Sequence, residues 1–290
     1  MLDLNAAVLE LIRLTSTSLP ADVEKELKSA SQIEEQGSTA RDALQTILQN
    51  IDIARQNSTP ICQDTGTPIF YVRHPEKFTA PFLTSAIRGS VAEATSRSLL
   101  RPNAVDAITG RNSGNNLGDK YFPVIHFEPC YEDTLKIDLM LKGGGCENVG
   151  RQYSLPDLQL NAGRDLEGVR IAALDAVFQA QGMGCAPGFL GIAIGGDRST
   201  SYLASKEVFL ELVGSRHPDT AIGELEARIT REANQLGIGP MGFGGKSTIL
   251  GTRITGLHRL PASFFVTVSY MCWAFRRRRL TITGESDLIS

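Results

Sequence analysis

Apolar residues recur at helical spacing from Asn5 to about Gln56, and the pattern breaks at Leu19-Pro20 and at Gln36-Gly37-Ser38. Three successive helices are therefore predicted for the N-terminal fifth of the chain. Pro68 to Arg73 reads as a short strand, and Ala80 to Leu100 as a helix closed by Pro102. A polar loop, Thr109 to Asn116, leads into two β-rich runs, Tyr121 to Glu128 and Thr134 to Leu141, predicted to pair antiparallel. The second run ends in Lys142-Gly143-Gly144-Gly145-Cys146-Glu147-Asn148, where glycines leave backbone amides open for binding.

Asp165 to Gln181 has helical periodicity and is followed by the loop GMGCAPG and the apolar strand FLGIAIGG. Ser199 to Leu212 is more weakly helical. Asp219 caps a strongly periodic helix that Gly237 ends as its left-handed C′ residue. Ser247 to Thr255 and Phe264 to Met271 read as strands, and no repeat or low-complexity linker interrupts the chain. The fold class expected is α/β, with mixed sheets flanked by helices and a helical N-terminal segment, in a single domain over residues 1–290.

Composition narrows the partners. A hydrophobic fraction of 42% in 290 residues supports a sizeable core. A net charge of -3 and a pI near 5.9 give no global field for nucleic acid or an anionic membrane, so a small molecule or another protein is the expected partner. No apolar run approaches the roughly 20 residues of a membrane span, and the first residues carry acids where a secretory signal carries lysines. A cytoplasmic setting follows. There the five cysteines, odd in number and far apart, would stay reduced.

Cys62 in PICQDTGTPIF, Cys185 in Gly184-Cys185-Ala186-Pro187-Gly188 and Cys272 before Trp273 each stand where a strand meets a loop. Such positions assemble sites in α/β folds, although dispersed cysteines are also simply buried as small apolar residues. If three thiolates do converge, their softness favours zinc or an iron–sulfur cluster over magnesium or calcium. Asp64, two residues from Cys62, is either the acceptor of its own Asp-Thr-Gly turn or a proton handler beside a bound hydroxyl. Arg101 and Arg216 are the arginines best placed to meet a carboxylate. The run Arg276 to Arg279 reads as a surface or subunit contact on a net acidic chain. GFGGKST ends like a phosphate-binding loop, but Pro240 stands where that motif requires glycine, and the segment follows a helix rather than a strand.

Taken in order, PICQDTGT, KGGGCEN, Cys185 before Ala-Pro, GSRHPD, LGIGPMGFGGK and the ending CWAFRRR resemble the class I, iron–sulfur fumarate hydratases and the L-tartrate dehydratase α subunits. The resemblance covers nearly the whole chain. It implies a [4Fe-4S] cluster held by Cys62, Cys185 and Cys272, with one iron open to substrate. It further implies that Gln63, Asp64, Arg101, Gly145 and Asn148 contact a small dicarboxylate, with Asp64 catalytic in proton transfer. Single-chain members of that family are much longer and supply a threonine base from a C-terminal domain. The present chain thus resembles an α subunit that needs a β subunit carrying the base, in a heterotetramer. One departure is local: Leu260 stands where family members often carry histidine, and His258 lies two residues earlier.

The activity these implications describe is reversible hydration of fumarate to malate. The alternatives are dehydration of L-tartrate to oxaloacetate, the corresponding reaction of mesaconate, or a non-catalytic iron–sulfur module for electron transfer or sensing. In the last case Cys146 or Cys130 would supply a fourth ligand.

Overall fold

The computed structural model describes residues 3–283 and 286–290. In chain order the helices are α1 (Leu4–Thr17), α2 (Ala21–Ile33), α3 (Thr39–Asn57), α4 (Ala80–Ser96), α5 (Gly144–Asn148), α6 (Leu166–Ala180), α7 (Arg198–Glu207) and α8 (Thr220–Gln235). The strands are β1 (Thr67–His74), β2 (Val124–Pro129), β3 (Leu135–Lys142), β4 (Arg151–Ser154), β5 (Gly188–Ile194), β6 (Ile249–Gly256), β7 (Phe265–Met271), β8 (Arg276–Thr283) and β9 (Ser286–Ile289). The α/β class, the mixed sheets and the helical N-terminal segment are as the periodicity predicts. The chain divides into two compact units, one of Met1–Pro20, Gln49–Gly144 and Ala274–Ser290, the other of Ala21–Leu48 and Gly145–Trp273.

The first unit is built on a five-stranded sheet in the order β2-β1-β3-β8-β9, against which α1 packs with α4 as its neighbour. Its core joins Val8, Leu11 and Ile12 of α1 and Leu83, Ile87 and Val91 of α4 to Phe70, Val72, Ile137 and Leu139 of the strands. Two expectations are corrected here. Strands β2 and β3 do not pair with each other: β1 lies between them, parallel to β2 and antiparallel to β3. Five consecutive residues of β1, Pro68 to Val72, are buried, so this strand needs a neighbour on each edge and takes the central place. The parallel pairing is permitted by the long crossover through α4. Helix α4 also stops at Ser96 rather than Leu100, because Ser98 turns left-handed and the amides of Leu99 and Leu100 both fold back to the Ala94 carbonyl.

The arginine run is a strand, not a surface patch. Arg276 and Arg277 of β8 are buried, Arg277 stacks over the Phe275 ring at 4.6 Å, and Arg279 grips Asp138 of β3 through two bonds of 2.8 and 3.0 Å. Arg278 donates to Ser18 Oγ and the Leu19 carbonyl just past the C-terminal end of α1, a favourable place for a cation.

The second unit holds a four-stranded sheet in the order β4-β7-β5-β6, with β5 and β6 parallel and the other pairs antiparallel. Helix α7 lies against β5 and β7, and α8 against β6. Asp219 caps α8 by accepting from the Ile222 amide, and Gly237 follows with a positive φ of 67°, as its place in the pattern predicts. Helices α6 and α8 are joined by an ion-pair lattice of Arg170 with Glu167 and Glu232, and of Arg228 with the same two acids.

Candidate active site

In the first unit the segment Cys62-Gln63-Asp64-Thr65-Gly66 forms the turn into β1. Its entry is fixed by the Ile61 amide, which donates to the Ser16 carbonyl of α1, and by Asn50, which donates to the Ile61 carbonyl. Asp64 accepts from the Gly66 amide at 2.9 Å through one carboxylate oxygen and from the Gly144 amide at 2.7 Å through the other. The first bond is the local turn expected of Asp-Thr-Gly. The second crosses eighty positions of sequence to the glycine run.

Thr65 is fully buried, and its hydroxyl oxygen accepts from the Arg101 amide at 3.0 Å and from Asn103 Nδ2 at 3.2 Å. Asn103 is held in turn by its own amide, which donates to Asn116 Oδ1. Arg101 is exposed, and one Nη reaches the Gln63 carbonyl at 3.3 Å. Gln63, Asp64 and Arg101 are thus brought together. Sequence reasoning missed Gly144, Thr65, Asn103 and Asn116; the visible trace of them was the triple glycine and the threonine between Asp64 and Gly66.

In the second unit Cys185 has the left-handed φ of 54°, and its carbonyl accepts from the Trp273 amide at 3.3 Å. That bond ties the Cys185 loop to the residue after Cys272. Beneath the loop lies the ring of Tyr270. A Cβ on Gly184 would come within 2.6 Å of that ring and one on Gly188 within 2.4 Å, so both positions require glycine. Burial pushes the Tyr270 phenol far above its ordinary range, and nearby Cys272, Cys146 and Cys185, as thiolates, raise it further. Two of the three expected cysteines are therefore gathered around one tyrosine, together with Cys146. Tyr270 carried no signal in the sequence beyond its place in a strand.

Cys62, Cys185 and Cys272 are each half-buried, whereas Cys146 is buried. Among the described residues no three His, Cys, Asp or Glu side chains form a group for a metal ion. The donor chemistry is nonetheless that of a soft group: partly accessible sulfurs, two of them positioned by one rigid loop and strand end, suit an iron–sulfur centre or zinc and not a hard cation. Gly145 and Asn148 are exposed on the short α5, and the neighbouring Glu147 is ion-paired with Lys206 of α7. Cys130 lies in the first unit, its thiol directed at the carbonyls of Glu132 and Thr134. His258 and Leu260 are exposed, and Arg216 is exposed in a loop that Arg253 anchors through the Ser215 carbonyl.

The loop that imitates a phosphate site already has an anion of its own. Both carboxylate oxygens of buried Glu34 accept from the Lys246 amide, at 2.9 and 3.0 Å. Gly245 sits at φ 129°, and a Cβ there would fall 2.8 Å from Glu34 Oε2. The glycines let the backbone close on an internal carboxylate, which leaves the nucleotide reading without a function for them.

Residues 5–281 match the family model described as Fumarate hydratase (Fumerase). A Geobacillus stearothermophilus protein assigned by name to fumarate hydratase class I is 48% identical over 282 residues, covering 95% of this chain and 55% of the relative. A Methanocaldococcus jannaschii protein assigned by name to L(+)-tartrate dehydratase subunit alpha is 33% identical, covering 97% of this chain and 98% of the relative. The Escherichia coli L(+)-tartrate dehydratase subunit alpha is 32% identical, covering 94% of this chain and 88% of the relative. The chain thus spans about half the length of the first of these and nearly all of the other two. Water is added or removed in both named reactions, which makes them hydro-lyase chemistry. The chain belongs to the fumarate hydratase (Fumerase) family.

Proposed function

We propose that this chain is the α subunit of an iron–sulfur hydro-lyase that reversibly adds water to fumarate to give malate, acting with a β subunit that carries the catalytic base. The observation that carries the reading is Asp64, clamped by the Gly66 and Gly144 amides two residues from Cys62 and beside Arg101. An ionised carboxylate has about four lone-pair sites, and the two amides use two of them. The remainder can accept the proton of a substrate hydroxyl or return it, at a position the clamp holds fixed. Arg101 offers guanidinium donors to a substrate carboxylate, and Gln63 shares its turn. Gly145 and Asn148 are assigned the glycine-run contacts. A [4Fe-4S] cluster held by Cys62, Cys185 and Cys272 would supply a Lewis acid at its open iron.

The assembly proposed is a heterotetramer in the cytoplasm; among the described residues no helix is long and apolar enough to cross a membrane. The test is anaerobic purification of the chain with its partner, followed by iron, sulfide and turnover measurements on fumarate and L-tartrate. Cys62→Ser, Cys185→Ser and Cys272→Ser should each lower iron and sulfide content. Asp64→Asn should keep both and lose turnover. Wild-type protein that binds neither iron nor sulfide would refute the cluster.

Tartrate dehydration is the second reading, favoured by the near-complete coverage of the two relatives named as α subunits. Equal or greater turnover of tartrate would select it. A non-catalytic cluster, with Cys146 or Cys130 as a fourth ligand, is the reading from another class. That reading requires a paramagnetic signal indifferent to added fumarate or tartrate.

A further inference from the structure

In the second unit, the loop of Cys185 and the loop of residues 239–246 are built into one another. The Met241 amide donates to the Ala186 carbonyl at 2.7 Å, and a Cβ on Gly182 would lie 2.9 Å from the Gly242 Cα. Met241 itself is held at φ 53°, a conformation unfavourable for a side chain of its size. The far end of this loop is gripped by Glu34 through the Lys246 amide. Together these bonds make a rigid platform.

What the platform presents is apolar. Met183 is 65% exposed, Met241 38% and Phe243 62%, and Phe178, near the end of α6, is 54% exposed. Lys246 closes the segment with an exposed ammonium that makes no ion pair among the described residues. Four large apolar side chains grouped on a fixed backbone and edged by a cation have the composition of an interface centre with a polar rim. Methionine and phenylalanine are well suited to that centre, because methionine adapts its shape and the ring brings a large buried area.

We infer that this face docks a second polypeptide, the counterpart of the part of the Geobacillus relative that lies outside its matched stretch. The inference rests on the proposed α-subunit role and adds to it the surface through which the subunits meet. The occupant is argued from two facts. The chain spans 55% of that relative, so a substantial further stretch of polypeptide accompanies the matched part there. The relatives named as α subunits are covered at 98% and 88%, so in them any such stretch belongs to another chain. An acidic group on the occupant would meet Lys246 at the rim. The location next to the Cys185 loop would set the partner's residues beside this unit's grouped cysteines.

The experiment is affinity purification of the tagged full-length chain from its own cells, with the co-purifying chain identified by mass spectrometry. The wild type should bring down a chain whose sequence matches the unmatched stretch of the Geobacillus relative. Phe243→Glu and Met183→Glu should each lower its recovery by about tenfold or more, the effect of losing one interface anchor. Circular dichroism should show each variant folded, and Phe243→Ala, which adds no charge, should weaken recovery in the same direction. Tyr131→Glu, at a still more exposed aromatic residue of the first unit, should leave recovery unchanged. Equal recovery with all variants overturns the proposal. So does a wild type that brings down only copies of itself, or no chain of that description. Iron and sulfide retained in the purified chain would then show that the docking face has failed while the cluster reading stands; their absence would show that both have failed.

Discussion

Asp64 and Cys185 both sit in loops that abut a strand, yet the two loops are held by opposite means. The Asp64 turn is held by polar bonds: two amides on its carboxylate, two donors on the Thr65 hydroxyl and a guanidinium on the Gln63 carbonyl. The Cys185 loop is held by shape. Glycines at 184 and 188 admit the Tyr270 ring, and the Trp273 and Met241 amides close on the backbone carbonyls of Cys185 and Ala186. Directional bonds suit a group that must keep lone pairs aimed at a substrate, because they fix orientation while leaving the group polar and reachable. Steric packing suits a sulfur ligand, whose backbone must be rigid while its side chain makes bonds of its own.

In the second loop a methyl group meets a side chain, so its cost can be traced to one ring. Gly188→Ala would place a Cβ 2.4 Å from the buried Tyr270 ring, and overpacking of this kind costs about 1–3 kcal/mol. Trp273 is the only tryptophan and belongs to the same unit, so its fluorescence through a urea titration reads the loss directly. Tyr270→Leu, which removes the obstructing ring, should make Gly188→Ala less costly, with a coupling of about 1 kcal/mol or more. Additive effects would mean that the loop is not held by the ring.

In the Asp64 turn a missing oxygen should be costly in its own right, apart from the clash that a methyl on Gly66 would make with the Lys142 backbone. Thr65→Val keeps the shape and removes the acceptor of the Arg101 amide and Asn103 Nδ2, at a cost of about 1–2 kcal/mol. Thr65→Ser restores the hydroxyl and should recover most of that loss. Hydrogen exchange at the Arg101 amide should quicken in Thr65→Val and stay slow in Thr65→Ser. Equal effects of valine and serine would assign the threonine to packing and erase the contrast between the loops.

This division also explains what the sequence made legible. Local rules act over a few residues, so the Asp219 cap, the Gly237 terminus and the Asp64-Gly66 bond were all readable from neighbours in the chain. The ordered motifs located the cysteines, because those motifs are themselves contiguous. Long-range pairings were not readable in that way. The Gly144 amide reaches Asp64 across the chain, and β1 separates β2 from β3 because its burial on both faces demands two neighbours. The arginine run misled for the same reason: period-two alternation is masked over the first four positions of β8, all arginine, and the register with β3, including the Asp138–Arg279 pair, reveals the strand.

The smallest effect expected compares one buried carboxylate from each unit. Asp138 is pushed above its ordinary value of 3.8 chiefly by burial, which the Arg279 bonds only partly oppose. Glu226 is pushed above 4.5 by burial, against the Ile254 amide and Arg253. In each case, between the ordinary and the raised value, the native protein holds a proton that the unfolded chain has released. The native state then binds more protons than the unfolded state, so the slope of unfolding free energy against pH from this group is negative. Its contribution is fully present below the ordinary value and is lost as pH rises through the native one. The stability of wild type minus that of Asp138→Asn should therefore fall as pH is raised above 3.8 and then level off. Glu226→Gln should show the same sign above 4.5, read by Trp273, whereas Asp138→Asn is read by hydrogen exchange in β3 and β8. A difference that rises with pH at Asp138 alone would mean that the Arg279 pair outweighs burial in the first unit, and that polar bonds dominate there beyond the Asp64 turn.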